Sequence, residues 1–394
     1  ARLRQARAQR DLAAAAALPS LGLAGSAQAS AGEHRATNRS VQIGLDASWE
    51  PDLWGGTRAA VDAADANLRA GEAGLAAARL AVAAETALNV LQWRGVQARL
   101  AIARDNLASQ RQTLQIVQWR REAGLVTELD VQQARSAVAQ TEAQVPALRT
   151  QAAQLLHTLA LLTGAAPGSV TLAEGPQPEA PPQLALSMPA EVLRQRPDVA
   201  AAEARLGAAG AAVAQARADR LPQLRLGGSI GLAALDLAGL GHGAGIASLA
   251  ASVSLPVFDA GRGEARVRLQ EAAFDESQAS YRAAVRAALQ DVEDNLVAIA
   301  GTREQMASQR TAAEAARAAA RLAEQRYASG LVDFPNVLQS QRTLLSAQDA
   351  LAASTTTLNL LHVRLYKALG GGWQRDEPDG RADATTGAAR GWHR

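Results

Sequence analysis

Five histidines, His34, His157, His242, His362 and His393, are the side chains best suited to bind a metal or exchange a proton near neutral pH. No two stand at i,i+4, and the chain has no cysteine. Neighbouring positions therefore supply no tetrahedral metal set, no thiolate nucleophile and no disulfide. Gly239-Leu-Gly-His-Gly-Ala-Gly245 is glycine-rich but departs from G-x-G-x-x-G and opens no helix, so it reads as a loop between strands rather than a phosphate cradle. Nothing resembles a nucleophile, base and acid set out together. The expectation is no enzyme: no catalytic residue, no metal and no cofactor. The remaining polar candidates gather near two glycines. Glu122, Thr127, Glu128, Asp130 and Arg135 lie about Gly124, and Tyr327, Asp333, Gln339 and Arg342 lie about Gly330. Such groups act through charge and hydrogen bonding, so their role depends on the elements that hold them.

The 394 residues are 48% hydrophobic but only 3% aromatic. A globular enzyme core draws its bulk from Phe, Tyr and Trp, whereas helices packed side by side manage with Ala, Leu and Val. Forty Lys and Arg against 38 Asp and Glu leave a net charge of +2, with the signs interleaved, so no nucleic-acid partner is expected despite a pI of 9.5. The most apolar window, 237–258, is broken by His242, serines and glycines and contains Pro256, unlike a transmembrane helix. Residues 1–18 read as the middle of a helix without a signal peptide, so the chain is taken as a fragment lacking its natural N-terminus.

The punctuation of the sequence repeats. Pro19 pairs with Pro222, Pro51-Asp-Leu53-x-x-Gly56 with Pro256-Val-Phe258-x-x-Gly261, Gly124-Leu-Val126 with Gly330-Leu-Val332, and Leu162-Thr-Gly164 with Ala368-Leu-Gly370, at offsets of 203, 205, 206 and 206. A tandem duplication follows: a first repeat over 1–164, a Pro/Gly-rich linker over 165–188, a second repeat over 189–370, and a polar tail over 371–394. Each repeat reads as a helix ending before a proline, two strands, a very long helix, a glycine turn and a return helix.

Proline-free stretches over 57–122 and 262–327 predict helices of 66 residues, about 100 Å at ~1.5 Å per residue. Their heptad-like steps (Trp93, Val96, Leu100, Ala103, Leu107 in the first; Val285, Leu289, Val292, Leu296, Ile299 in the second) call for partner helices. Return helices over 127–163, opened by a capping box at Thr127-Glu-Leu-Asp130, and 333–369 supply these partners, with a further helix over 197–219 stacked end to end with the first return helix. Pro146 should kink the first return helix. Alternation of apolar and polar residues over 41–50 and 223–232, weaker over 20–30 and 246–255, predicts four strands of about ten residues, long enough to cross a bilayer when tilted. Four strands close no membrane barrel, and open edges of that length are an aggregation hazard. Three copies would supply twelve strands, with apolar faces towards lipid and Trp49 at the membrane interface; a soluble half-buried sheet shows the same alternation.

Ser48-Trp-Glu-Pro-Asp-Leu-Trp-Gly55, Met188-Pro-Ala-Glu-Val-Leu-Arg-Gln-Arg-Pro-Asp-Val-Ala-Ala-Ala-Glu203, Leu255-Pro-Val-Phe-Asp-Ala-Gly261 and Arg326-Tyr-Ala-Ser-Gly-Leu331 together resemble the TolC-like outer-membrane efflux proteins, in their lipoprotein (OprM/NodT-like) branch. The resemblance implies a mainly α tandem-repeat fold with a small β part: a coiled-coil helical barrel in the periplasm below a twelve-stranded β-barrel shared by a homotrimer in the bacterial outer membrane. It implies an exit duct for small molecules such as drugs or toxic compounds, partnered by outer-membrane lipid, a periplasmic adaptor (membrane fusion) protein and an inner-membrane RND-type transporter. Relatives in this branch begin at a lipidated cysteine after a secretion signal, and this sequence contains neither. The other readings are a soluble coiled-coil structural or adaptor protein and a related duct for protein secretion.

In such an assembly each inward polar side chain becomes a ring of three, acting on solutes where the tunnel narrows at the two glycine turns. Gate candidates are Asp130, Arg135, Tyr327, Asp333, Gln339 and Arg342. The resemblance places an acidic gate position on Gln339 and keeps the following arginine as Arg342, which leaves Asp333 as a substitute acid. Asp333 would equally cap the helix beginning at Phe334-Pro335, and Arg342 would equally sit on a solvated face. Gly124, Leu125, Val126, Gly330, Leu331 and Val332 are the expected adaptor-docking tip.

Overall fold

The computed structural model describes residues 1–32, 35–181, 196–236 and 242–371. Part of the linker (182–188), the Met188–Gln195 part of the signature, the loop at 237–241 and the tail from 372 lie outside the described residues. The element order is helix, two strands, long helix, return helix, and then the same again. It runs α1 (Arg2–Ala15), β1 (Ser20–Gly32), β2 (Arg35–Trp49), α2 (Gly56–Glu122), α3 (Glu128–Thr163), α4 (Pro197–Ala218), β3 (Gln223–Ala234), β4 (Ala244–Ser254), α5 (Arg262–Ala328) and α6 (Phe334–Ala368).

Where proline is absent the long helices do not stop: α2 and α5 have 67 residues each. Each starts just after a glycine in the left-handed region, Gly55 at φ 79° and Gly261 at φ 81°. The backbone thus makes Gly55, not Gly56, the counterpart of Gly261; one residue more separates Pro256 from its glycine than Pro51 from its own. α3 opens on the expected capping box, the Thr127 hydroxyl accepting from the Asp130 N–H while the Asp130 carboxylate accepts from the Thr127 N–H at 2.9 Å. It runs unbroken through Pro146 to a left-handed glycine cap at Gly164, φ 72°.

The chain forms two compact units. The first takes in Ala1–Ala77 and Pro197–Arg286 and holds the sheet, an antiparallel meander in the order β1-β2-β3-β4. Alternation located β3 and β4 closely but missed the start of β2, six residues earlier than expected: pairing across the β1–β2 hairpin, as in Ala29 with Arg39 and Ser30 with Asn38, sets that limit, not hydrophobicity. Within this unit α4 touches both long helices. A Cβ on Gly207 would come 4.0 Å from Ala66 of α2, and one on Gly210 would come 3.5 Å from the Phe274 ring of α5. Small residues permit this approach: Ala66 and Ala200 are almost wholly buried.

The second unit takes in Ala78–Arg196 and Ala287–Arg394. Trp93, Val96, Leu100, Ala103 and Leu107 of α2 pack on Val138, Val145, Leu148 and Ala152 of α3, using the heptad positions read from the sequence. Val292 and Ile299 of α5 pack on Leu358, Leu361 and Leu365 of α6 in the same way. The described linker residues after Gly164 form no helix or strand and are strapped to α5 and α6. Gln177 donates to the Thr356 hydroxyl at 2.6 Å, Asn359 to the Pro178 carbonyl at 2.9 Å, and Arg303 to the Pro181 carbonyl at 2.8 Å. Buried Arg196 reaches the Ala368 carbonyl at 3.0 Å and the Asp291 carboxylate at 3.0 Å, tying the end of α6 to α5.

Candidate functional site: the sheet faces and the helical tip

Strand register sorts the sheet's side chains into two unlike faces. Leu23, Leu45, Ile230 and Ala247 lie in one row and Ala47, Gly228 and Leu249 in another. From Val41 to Trp49 and through their partners, this face carries Leu21, Leu23, Val41, Ile43, Leu45, Ala47, Trp49, Leu224, Leu226, Ile230, Leu232, Ala247, Leu249 and Val253, none of them charged, and Arg39 follows on the same face towards the β1–β2 hairpin. It is uncovered: Leu249 is 90% exposed, Val253 71% and Ile230 63%. An apolar surface of this extent, open on one side of a sheet, is unstable in water and stable against acyl chains. The opposite face carries Ser20, Gln42, Asp46, Ser48, Arg225, Ser229, Ser248 and Ser252. Its hydroxyls pair across strands, Ser20 with Ser48 at 2.8 Å and Ser229 with Ser248 at 2.7 Å. Trp49 stands at the helical end of the apolar face, its indole N–H donating to the Ala17 carbonyl at 3.1 Å with the ring partly exposed, as suits an interfacial tryptophan.

At the far ends of the long helices the two glycine turns are built alike. Gly124 and Gly330 have φ of 73° and 74°, and the next residues, Leu125 and Leu331, each donate to an arginine carbonyl at 2.8 Å, Arg120 and Arg326. Only glycine adopts this φ without strain. Leu125 and Leu331 point outwards, 73% and 74% exposed, whereas Val126 and Val332 pack on one core made of Val117, Val131, Ala134, Ala137, Tyr327, Phe334, Val337 and Leu338.

The gate candidates separate into distinct environments. Tyr327, read as a polar side chain facing a channel, is instead 4% exposed in that core, 6.0 Å from the Phe334 ring. The Arg120 guanidinium covers its other side at 4.3 Å and donates to the Ala328 carbonyl at 2.9 Å. Burial raises the Tyr327 pKa, opposed by the charge of Arg120. The Asp130 carboxylate is engaged in the α3 cap, accepting also from the Thr127 hydroxyl at 2.8 Å. Arg135 is exposed. Asp333 occupies the N-cap position of α6, with a proline in the first turn, but its side chain makes no capping bond and stays exposed. Gln339 and Arg342 come together: with Gln309, Thr343 and Ser346 they line an open groove of about 500 Å³ between α5 and α6.

One feature escaped the sequence reading. Arg99, Asn106, Thr113 and Arg120 stand seven residues apart on α2, and each makes a polar contact with the second repeat. Arg99 forms a two-pronged bond to Asp349 at 2.6 and 3.0 Å, Asn106 donates to Gln348 at 2.9 Å, Gln341 donates to Thr113 at 2.9 Å, and Arg120 caps Tyr327. Their seven-residue spacing is visible in the sequence, but nothing in it names the helix they face.

A sheet with one lipid-compatible and one hydroxyl-lined face, on long helices that end in paired turns, defines a membrane duct. A family model described as outer membrane efflux protein matches residues 1–165 and 188–371, and the chain belongs to this family. The pyoverdine export outer membrane protein OpmQ of Pseudomonas putida is 36% identical, across 96% of this chain and 83% of its own length. Outer membrane protein OprJ of Pseudomonas aeruginosa is 34% identical, across 88% and 73%. The solved structure of the outer-membrane channel OprN matches with a TM-score of 0.91 at 36% identity, across 95% of this chain and 86% of that one. The protein is an efflux channel of the outer membrane with a periplasmic helical part, a transport duct and not an enzyme.

Proposed function

We propose that three copies of the chain form one exit duct, carrying small molecules passively from a tripartite pump across the outer membrane. The observation that carries the reading is the four-stranded sheet, with an uncovered apolar face and an unshared edge on both β1 and β4. Three such sheets give twelve strands, an even number within the range of about 8 to 26 that closes around a lumen. Closure removes the edges, turns the apolar faces to lipid and lines the lumen with Ser, Gln and Asp side chains.

The partners of this reading are a periplasmic adaptor at the Gly124 and Gly330 tip, where Leu125 and Leu331 are exposed, and an inner-membrane RND-type transporter behind it. Relatives named for export of pyoverdine and for toluene and solvent efflux support small solutes as cargo. The gate is the ring of Gln339 and Arg342 in the groove between α5 and α6, with Asp333, Asp130 and Arg135 around it and Tyr327 fixing the turns from within. Adaptor binding opens the tip by favouring one of two helix arrangements, and the duct itself supplies no energy. Deleting the gene and restoring it tests the function: accumulation of a fluorescent efflux substrate should rise on deletion and fall on restoration, and unchanged accumulation would contradict it.

A further inference from the structure

We propose that His362 is an acid-operated latch: neutral, it seats Arg303 on the linker, and a second proton drives Arg303 off and frees that end of the linker. The latch acts within one chain, and only its effect on the gate groove rests on the duct reading. The linker from Gln177 to Pro181 is held at three points. The Thr356 hydroxyl accepts from Gln177, and Asn359 donates to the Pro178 carbonyl; neither bond involves a group that titrates. The third point differs. Arg303 of α5 donates through Nη2 to the Pro181 carbonyl at 2.8 Å, and the same nitrogen lies 3.4 Å from Nε2 of His362.

His362 is 4% exposed and follows Leu358 and Leu361 on the side of α6 that packs on α5. Chemistry settles its tautomer. Nδ1 lies 2.7 Å from the Leu358 carbonyl oxygen, which can only accept, so Nδ1 carries the single proton of the neutral ring. Nε2 is then a lone pair, and it accepts the second hydrogen of the Arg303 nitrogen. A further proton can go only to Nε2, where two donors and two positive charges would face each other at 3.4 Å.

No acid offsets that charge. Among the described residues neither His362 nor Arg303 pairs with a carboxylate. Glu304 of α5, Glu179 of the linker and Arg364, Tyr366 and Lys367 of α6 are exposed, and Arg94 of α2 meets the linker at Gly175. None of these bonds the imidazole. By contrast, the charge of buried Arg196 is met by Asp291 at 3.0 Å. Expelling Arg303 therefore removes one anchor of three: the Pro181 end lifts while the Gln177 end stays. Ala180, which packs on the core between α5 and α6, is uncovered with it. Arg303 stands six residues before Gln309 of the gate groove, about 9 Å along α5. Freedom gained at the latch thus enters the helical hairpin that carries Gln339 and Arg342.

The chain has no native cysteine, so Ala180→Cys supplies a single thiol on the covered side of the linker. Dithiodipyridine, which attacks thiols even in mild acid, reads its accessibility, each rate being taken relative to unfolded protein at the same pH. From about pH 8 to about pH 5, where histidine ordinarily changes charge, the relative rate should rise about tenfold. Adding His362→Gln, whose amide can donate to Leu358 and accept from Arg303 without titrating, should keep the rate low throughout. Adding Arg303→Met, which removes the anchor itself, should make it high throughout. A flat rate with His362 and Arg303 in place, or the same rise with His362→Gln, would overturn the latch. Planar bilayers test its link to the groove: resting conductance should rise over the same range in the parent but not in His362→Gln. A latch that opens without that rise would have no part in the gate. A protein that forms no channel would overturn the duct reading, while the thiol rates still decide the latch.

Discussion

Gly44 and Gly231 are register partners across β2 and β3, and neither leaves room for a side chain on the other. A Cβ on Gly44 would stand 2.9 Å from the Ile230 carbonyl oxygen, and a Cβ on Gly231 would collide with the Ile43 carbonyl. This pair sits on the seam where the first repeat's strands meet the second's, so the sheet depends on two backbones approaching at one point. Gly231→Ala should weaken that pairing by about 1–3 kcal/mol, the usual range for forced overpacking. Gly245→Ala, where no atom lies within 4 Å, should be tolerated. The check is the fraction of each variant recovered as assembled protein from outer membranes; equal recovery would contradict the close seam.

Arg99 and Asp349 hold α2 against α6 through a two-pronged bond, yet both side chains are more than a third exposed. Solvent screening limits such a pair, so a double-mutant cycle with Arg99→Ala and Asp349→Ala should return a coupling of about 0.5–1 kcal/mol rather than several. Thermal unfolding of the four proteins measures it, and additivity of the two substitutions would show that the pair is not coupled.

Asp259 caps the start of α5, its carboxylate accepting from the Gly263 N–H at 2.6 Å and the Gly261 N–H at 2.9 Å. These bonds, the Gly263 one foremost, hold its pKa below the usual carboxylate range. A carboxylate depressed in the folded state contributes stability above its unfolded pKa and loses it as pH falls through the folded value. Asp259→Asn should therefore lower the melting temperature at neutral pH, and the difference from the parent should shrink as acid protonates Asp259. A constant difference down to the acid limit would rule out the charge as the cause.

Gln339 and Arg342 line one groove, so a charge added at either acts on the same space. Gln339→Glu should place a ring of three carboxylates in the assembled duct and raise its preference for cations, while Arg342→Ala should raise resting conductance. Reversal potentials and single-channel currents in planar bilayers measure the two effects. Unchanged values in both variants would remove this groove from the gate.

Much of the fold was legible because glycine and proline mark it. Gly124 and Gly330 announce turns that require positive φ, and the absence of proline from 57 to 122 and from 262 to 327 leaves no point at which the long helices would stop. The strands were legible where one face is wholly apolar, as from Val41 to Trp49, and illegible from Arg35 to Ser40, where partner pairing alone fixes the strand. Residue type misled at the tip. Tyr327 carries a hydroxyl and was read as facing a channel, but its ring fills the core where both helical hairpins turn, a role only its three-dimensional neighbours reveal. The partners of Arg99 and Asn106 lie 250 and 242 residues away, so the seven-residue spacing on α2 carried no sign of which helix it faced.

Native mass spectrometry of the protein extracted from outer membranes into detergent tests the pooling of strands most directly. The expected spectrum shows one assembly of three chains, stable in detergent and dissociating only when the membrane mimic is removed or the protein unfolds. A single folded chain, stable in that detergent with its sheet intact, would contradict it.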